Sequence, residues 1–343
     1  MKAQRILFSF LIAGITVFAN CKGHNKKVPD IGAQSPLLQS DPNLKRITGQ
    51  IKSSPNDAAL YFERGSMLHR MREDTLAIKD FQMAASLDTN KAEYYSAVGD
   101  LLFENKDITG SVEWIQKAIA KDPKDVKSRL KIAKMFLYMR EYPKAMIELD
   151  DKVLRKDVYN PEAYFLKGMI YKEMKDTAKA ISNFLTSVQM SPDYRESVIQ
   201  LGLLYSAKND PIALKYLDNA YAMDSTDVFP LFAEGVYYQN KKDYETAKQV
   251  YHRCIDRNAH YVDAFFNMGY VLMQQDSVEK ACRQYDIATK VDPANPTAYY
   301  DRGVCNEQLK KIPEAITDYK QAALLDTAYK SPRLALARLH VKL

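Results

Sequence analysis

The sequence predicts an all-α protein, a solenoid of about eight helix pairs with a half-repeat cap at each end. Three observations predict it. Seven of the 12 glycines, Gly65, Gly99, Gly168, Gly202, Gly235, Gly269 and Gly303, fall 34, 69, 34, 33, 34 and 34 residues apart, and the small Ala133 divides the double interval. A second series of small residues follows 11 or 12 positions behind: Ala77, Ser111, Ala145, Ala180, Ala213, Ala247, Ala281 and Ala315. Four residues further on lies a third series of large apolar residues: Phe81, Ile115, Leu149, Phe184, Leu217, Tyr251, Tyr285 and Tyr319. Self-similarity at one period outranks any local propensity.

The N-terminus comes first in chain order. Met1 to Arg5 is basic, Ile6 to Ala19 is almost wholly apolar, and Asn20-Cys21-Lys22 follows. A basic start, an apolar run too short to span a bilayer and a small-residue exit predict a secretory signal over residues 1–20. Val17-Phe18-Ala19-Asn20-Cys21 resembles a bacterial lipobox, although Phe18 and Asn20 stand where Leu and Gly or Ala are usual. The resemblance implies lipidation of Cys21. Ordinary cleavage after Ala19, which would release a secreted protein, is the alternative. Residues 21–40 are polar, with Pro29, Pro36 and Gly32, and read as an extended tether behind the anchor.

Residues 41–57 follow as a lone second helix, with Asp41-Pro42 opening it and Pro55 in a closing place. The repeats run over 58–329. In each, the small residues of the two helices let their backbones approach, and the large residue fills the groove between them. Asn105-Lys106-Asp107, Lys175-Asp176, Lys208-Asn209-Asp210, Lys242-Asp243 and Gln275-Asp276 mark turns within repeats. Pro143, Pro211 and Pro313 stand at the starts of second helices, where a missing N–H costs nothing. An inserted residue near Lys152–Leu154 and a residue missing before Ala213 predict local changes of helix register. Residues 330–343 complete the chain as a lone first helix, with Ser331 expected as its N-cap and Pro332 at its first position.

These marks resemble the tetratricopeptide repeat family. With the glycine at position 8, small residues stand at 20 and 27, an aromatic at 24 and Pro near 32, as in AFFNMGYVLMQQDSVEKACRQYDIATKVDP from Ala264. The resemblance covers residues 58–329 and implies a right-handed superhelix whose first helices line a concave, ligand-holding groove. With the N-terminal features, it is similar to the outer-membrane repeat lipoproteins of Gram-negative bacteria. It implies an address in the cell envelope, at the periplasmic face of the outer membrane.

Composition excludes several classes. Forty-six per cent of the 343 residues are apolar, too many for a disordered chain. The net charge of +6 is spread without a basic stripe, so no nucleic-acid partner is expected. Phosphate loops, paired-cysteine zinc spacings and HExxH are absent. His24, His69, His252, His260 and His340 are scattered, so no metal and no cofactor are expected. Ser128 and Lys131 form an isolated SxxK inside a repeat helix, without supporting motifs. Cys282 and Cys305 lie on adjacent repeats; an oxidising compartment permits a bridge, and free buried thiols are the favoured reading.

The candidate site is the stripe at positions 2, 5, 9 and 12 of each first helix. Position 5 reads Phe62, Ser96, Leu130, Phe165, Ile199, Phe232, Phe266 and Tyr300; position 9 reads Ser66, Asp100, Lys134, Met169, Leu203, Val236, Tyr270 and Val304. Repeats one to three are mixed, whereas repeats four to eight form an apolar trough that Phe229 and Met273 widen. The basic constellation with which chaperone-linked relatives hold a terminal carboxylate is not reproduced. The expected partner is therefore an apolar or helical protein segment, and the expected role a non-enzymatic scaffold serving outer-membrane assembly, secretion, pilus or cell-wall machinery. Occlusion of the trough by Pro36-Leu37-Leu38, or its burial by deeper curvature, stands beside this reading. A glycan- or nutrient-binding lipoprotein, or a hydrolase accessory, framed by the repeats is the alternative class.

Overall fold

A computed structural model of the chain describes residues 37–341. The leader over 1–20, Cys21 and the tether up to residue 36 lie outside the described residues. All regular structure among the described residues is helical. The chain forms two compact units, one up to Asn105 and one from Lys106 on.

The first unit contains α1 (Leu37–Ser40), α2 (Pro42–Ser53), α3 (Ala58–Arg70), α4 (Asp74–Leu87) and α5 (Ala92–Glu104). Asp41 caps α2 by accepting from the amides of Asn43 and Leu44, with Pro42 at the first position. Residues 37–40 are not extended, as the tether reading expected. They form a helical turn packed on α2, and Leu38 is fully buried. The apolar face of α2 (Leu44, Ile47, Ile51) drives this, because a lone second helix has no partner of its own to cover it.

The second unit runs α6 (Ile108–Lys121), α7 (Val126–Tyr138), α8 (Tyr142–Ile147), α9 (Pro161–Glu173), α10 (Thr177–Met190), α11 (Arg195–Ala207) and α12 (Ile212–Met223), then α13 (Phe229–Asn240), α14 (Tyr244–Arg257), α15 (Val262–Gln274), α16 (Val278–Val291), α17 (Pro296–Gln308), α18 (Ile312–Leu325) and α19 (Lys330–Arg338). Hairpins form between α9 and α10, α11 and α12, α13 and α14, α15 and α16, and α17 and α18, and each hairpin packs on the next.

The glycine and the large residue of each repeat meet directly. A Cβ on Gly65 would lie 2.8 Å from the Phe81 ring, on Gly168 2.5 Å from Phe184, on Gly202 2.7 Å from Leu217 and on Gly303 2.7 Å from Tyr319. The bare backbone is thus the seat of the ring, and this is why both series share one period. The small residues Ala77, Ala145, Ala180, Ala213, Ala247, Ala281 and Ala315 are all fully buried.

Both departures from the period are absorbed locally. The inserted residue turns the end of the second helix of repeat three into a π-helix, Glu148–Leu154. One extra residue per turn keeps Leu149 and Val153 both buried, where an α-helix would have turned Lys152 inward. The missing residue is taken out of the entry to α12. Asp210 accepts from the amide of Ile212, Pro211 occupies the N-cap, and Leu214 N donates to Pro211 O (3.2 Å) in a tightened first turn. At the other end, α19 starts at Lys330 with Tyr329 as its N-cap, two positions before the expected Ser331-Pro332 start. Tyr329 is held there by its ring, 5.4 Å from that of Tyr300.

Candidate functional site

The trough residues all lie on first helices of the second unit: Phe165 and Met169 on α9, Ile199 and Leu203 on α11, Phe229, Phe232 and Val236 on α13, Phe266, Tyr270 and Met273 on α15, Tyr300 and Val304 on α17. Neighbouring first helices touch directly, α7 on α9, α11 on α13 and α13 on α15. Every trough residue is half-buried except Tyr270, which is 42% exposed.

Position 5 and position 9 divide the work. The position-5 rings are stacked between their own repeat and the next: Phe165 lies 5.8 Å from Phe184 and 5.5 Å from Tyr194, Phe232 lies 5.9 Å from Tyr251 and 5.4 Å from Tyr261, and Tyr300 lies 5.7 Å from Tyr319. Much of each ring face is therefore spent on holding the stack together. Tyr194, Tyr261 and Tyr329, which supply the second contact, are buried enough that desolvation raises each hydroxyl, those of Tyr261 and Tyr329 to about 12. These ring ladders were not legible in the repeat marks, because Tyr194, Tyr261 and Tyr329 sit in turns.

Phe165 and Met169 also line a cleft of about 630 Å³ between α7, α9 and the start of α11. Leu137, Leu166 and Tyr194 complete its apolar floor, and Glu162, Glu173, Glu196, Lys134 and Arg140 surround it. Phe232, Phe266 and Met273 border one core around Tyr251 and Tyr285, and Tyr300 and Val304 border another around Tyr319.

Asp301, on α17 beside Tyr300, is a residue that the sequence reading passed over. Desolvation alone lifts its carboxyl to about 6. Burial raises the hydroxyls of Tyr285 and Tyr329, and the charge of Asp301 raises them further.

A second polar cluster serves the frame. In α3, Arg64 donates to both Asp80 oxygens at 2.7 Å and to the Thr48 hydroxyl at 3.2 Å, with side chains 2% and 0% exposed for Arg64 and Asp80. In α17, Arg302 donates to Asp318 (2.6 Å), Asp286 (2.7 Å) and Thr289 (2.9 Å). The arrangement recurs at positions 7 and 23 of the first and last repeats and ties each to the helix before it. Its sequence signal is an Arg and an Asp sixteen residues apart.

Cys254, Cys282 and Cys305 are free thiols. Cys305 Sγ lies 3.3 Å from Met273 Sδ, whereas Cys282 Sγ faces Asn306, and burial pushes Cys254 and Cys305 up to about 12. Ser128 is buried and donates to the N-capping Asp125 at 2.6 Å. Among the described residues no group of three His, Cys, Asp or Glu side chains is placed to hold a metal ion.

Family models of the tetratricopeptide repeat match residues 161–194, 231–261 and 268–332. These stretches are tetratricopeptide repeats. Their period and marks continue outside the matched residues, from Gly65 onward. The chain is 24% identical over 257 residues to DnaJ homolog subfamily C member 7 of Mus musculus, covering 71% of this chain and 48% of that protein. It thus spans about half the length of that curated relative. Among solved structures, a tetratricopeptide repeat protein from Parabacteroides merdae superposes with a TM-score of 0.55 at 14% identity, over 72% of this chain and 98% of that one. PilW, a type IV pilus biogenesis factor, superposes with a TM-score of 0.53 at 17% identity, over 62% and 98%. At these identities the likeness is one of fold.

Proposed function

We propose that the protein is a non-enzymatic scaffold that holds an apolar or helical segment of a partner protein along the first helices of repeats four to eight. In this reading a lipid on Cys21 tethers it in the cell envelope, at the periplasmic face of the outer membrane. There it serves an assembly, secretion, pilus or cell-wall machine. One observation carries the reading: Met169, Leu203, Val236, Tyr270 and Val304 repeat at position 9 on successive first helices and none is fully buried, although Met169 and Val304 also pack against the cores around Phe184 and Tyr319. Apolar side chains held at a protein surface in register mark an interaction site more often than they mark packing.

Two linked variants test it. Cys21→Ser is expected to release the protein from the membrane pellet or to leave the leader uncleaved; unchanged fractionation and mature mass would remove the tether from the proposal. Leu203→Asn together with Val236→Asn is expected to leave the circular dichroism unchanged and to abolish partner capture from solubilised envelopes, since central apolar anchors are worth about 2 kcal/mol or more each. A variant that folds and still captures every partner would remove the groove from it.

A further inference from the structure

Helix α19 presents to solvent a face that the complete repeats cover. Ala337 stands 34 residues after Gly303, so α19 is a first helix in the period of the repeats and Ala337 is its position 8. At Gly65, Gly168, Gly202, Gly235, Gly269 and Gly303 an added Cβ would lie 2.4–2.8 Å from the large side chain of the second helix. Ala133, at the same position, is fully buried. Ala337 is exposed. Among the described residues no second helix lies on α19, which packs on α18.

Position 5 repeats the pattern. Phe165, Phe232 and Tyr300 each lie between the ring of their own second helix and a tyrosine of the following turn. Leu334, at position 5 of α19, has neither ring over it and is 70% exposed. The other side of the helix is closed, since Pro332, Ala335 and Leu336 are buried, the last two in the core around Tyr319. Helix α19 is therefore anchored along one side and bare along the opposite one.

The bare side is a single basic stripe. Lys330, Arg333, Leu334, Ala337 and Arg338 fall at i, i+3, i+4, i+7 and i+8, the spacing of one helix face. All are exposed except Arg333, which is half-buried and donates to the Thr327 carbonyl. Arg338 pairs with Glu307 of α17 at 2.6 Å. No Asp or Glu occurs from Thr327 to Val341. Two apolar residues thus lie bordered by three cations, with no carboxylate of their own segment among them.

We propose that this stripe docks an acidic amphipathic helix of a partner protein, which lies on α19 as a second helix lies on the first in a complete repeat. A ring or other large apolar side chain of that helix seats on Ala337 beside Leu334, and its Asp or Glu residues meet Lys330, Arg333 and Arg338. The repeat geometry favours a helix over a lipid surface. A small residue at position 8 serves a side chain that lies against the backbone, whereas a bilayer surface needs only cations and exposed apolar groups. The groove reading is not needed for this surface.

The test uses the full chain in a non-ionic detergent and fluorescence anisotropy of labelled peptides of about 18 residues, long enough for a helix. The reference peptide carries Ala, Tyr and Ala at the spacing of positions 20, 24 and 27, with Glu at its polar positions. A second peptide has Lys in place of every Glu, and a third has Ser in place of the Tyr. The reference peptide is expected to bind about tenfold or more tightly than either. Leu334→Glu and Ala337→Leu, both at exposed places, are expected to leave the melting curve unchanged and each to weaken the reference peptide by about tenfold or more. Leu203→Asn with Val236→Asn is expected to bind it as wild type does. Equal binding of the Glu and Lys peptides, or binding that survives both α19 variants, would overturn the proposal. Loss in the groove variant alone would place the peptide in the groove and overturn it as well. Binding of none of the peptides would also overturn it, and capture of phosphatidylglycerol vesicles that is lost in Leu334→Glu would then assign the stripe to a lipid surface.

Discussion

At the scale of single residues, the repeat frame and the candidate site make opposite demands. Gly168 and Gly303 contribute by having no side chain, so that Phe184 and Tyr319 can lie on bare backbone. Arg64 and Asp80 are a fully paired buried ion pair; burial still pushes the Asp80 carboxyl above its ordinary range against the pull of Arg64. Among the described residues, none forms an ion pair with Asp301. Burial raises its folded pKa to about 6, above the ordinary carboxylate range, so the fold favours its protonated form. The stability this gives is fully present below about pH 4 and is lost as pH rises through about 6. Asp301→Asn should therefore match wild type near pH 4 and exceed it at pH 7.5 by about 1–3 kcal/mol. Denaturant midpoints of the two proteins at both pH values measure this difference, in which the other carboxylates cancel.

At the scale of elements, the turns inside repeats share one construction without glycine. Arg72, Arg140, Lys175, Asn209, Lys242, Asp276 and Lys310 all adopt positive φ, between 52° and 64°. The next amide reaches back to the carbonyl five residues earlier, as from Glu73 to Leu68 (2.9 Å), Glu141 to Phe136 (2.8 Å) and Asp243 to Tyr238 (3.0 Å). This is the closing hydrogen bond of a Schellman cap, whose left-handed position glycine occupies most cheaply. Lys242→Gly should stabilise the protein by about 0.5–1 kcal/mol, the relief of left-handed strain less the extra freedom of the unfolded chain. A lowered melting temperature would show that the Lys242 side chain contributes more than its backbone costs. The following residue is often an Asp that caps the second helix, as Asp176 and Asp243 do. A basic residue before an Asp is thus a turn signal with a mechanism.

At the scale of the molecule, each hairpin of the second unit leans mainly on its neighbours. Stability in such a stack is close to a sum of repeat and interface terms, so damage stays local. Gly202→Leu would drive a side chain into Leu217, whose Cδ2 and Cγ already lie 2.7 Å and 2.9 Å from the position of an added Cβ. The expected cost is about 1–3 kcal/mol, seen as a broader unfolding transition and not only a lower midpoint. Wild-type midpoint and steepness would mean that α11 and α12 are not in the register described. The same locality lets repeat three carry a π-helix and repeat five a shortened entry without disturbing the Gly168–Phe184 or Gly235–Tyr251 contacts on either side.

The sequence by itself determined the period, the helix pairing and the stripe on which the candidate site lies. Those features follow from spacing along one helix: residues 8, 20 and 24 of a repeat can meet in only one way once both helices form. It also marked where the period breaks, near Lys152–Leu154 and before Ala213. Only the tertiary structure decided how each break was absorbed, because a widened helical turn and a loop are equally consistent with one extra residue. Tertiary packing alone turned Leu37–Ser40 into a helix on α2 and moved the start of α19 to Lys330, since both depend on surfaces supplied by other segments. The same holds within the site. That Phe165, Phe232 and Tyr300 spend their faces on neighbouring rings while position 9 stays partly open depends on which repeat packs beside which. That burial raises the Asp301 carboxyl depends on how the helices pack around it, a property of the space between helices and not of any one of them.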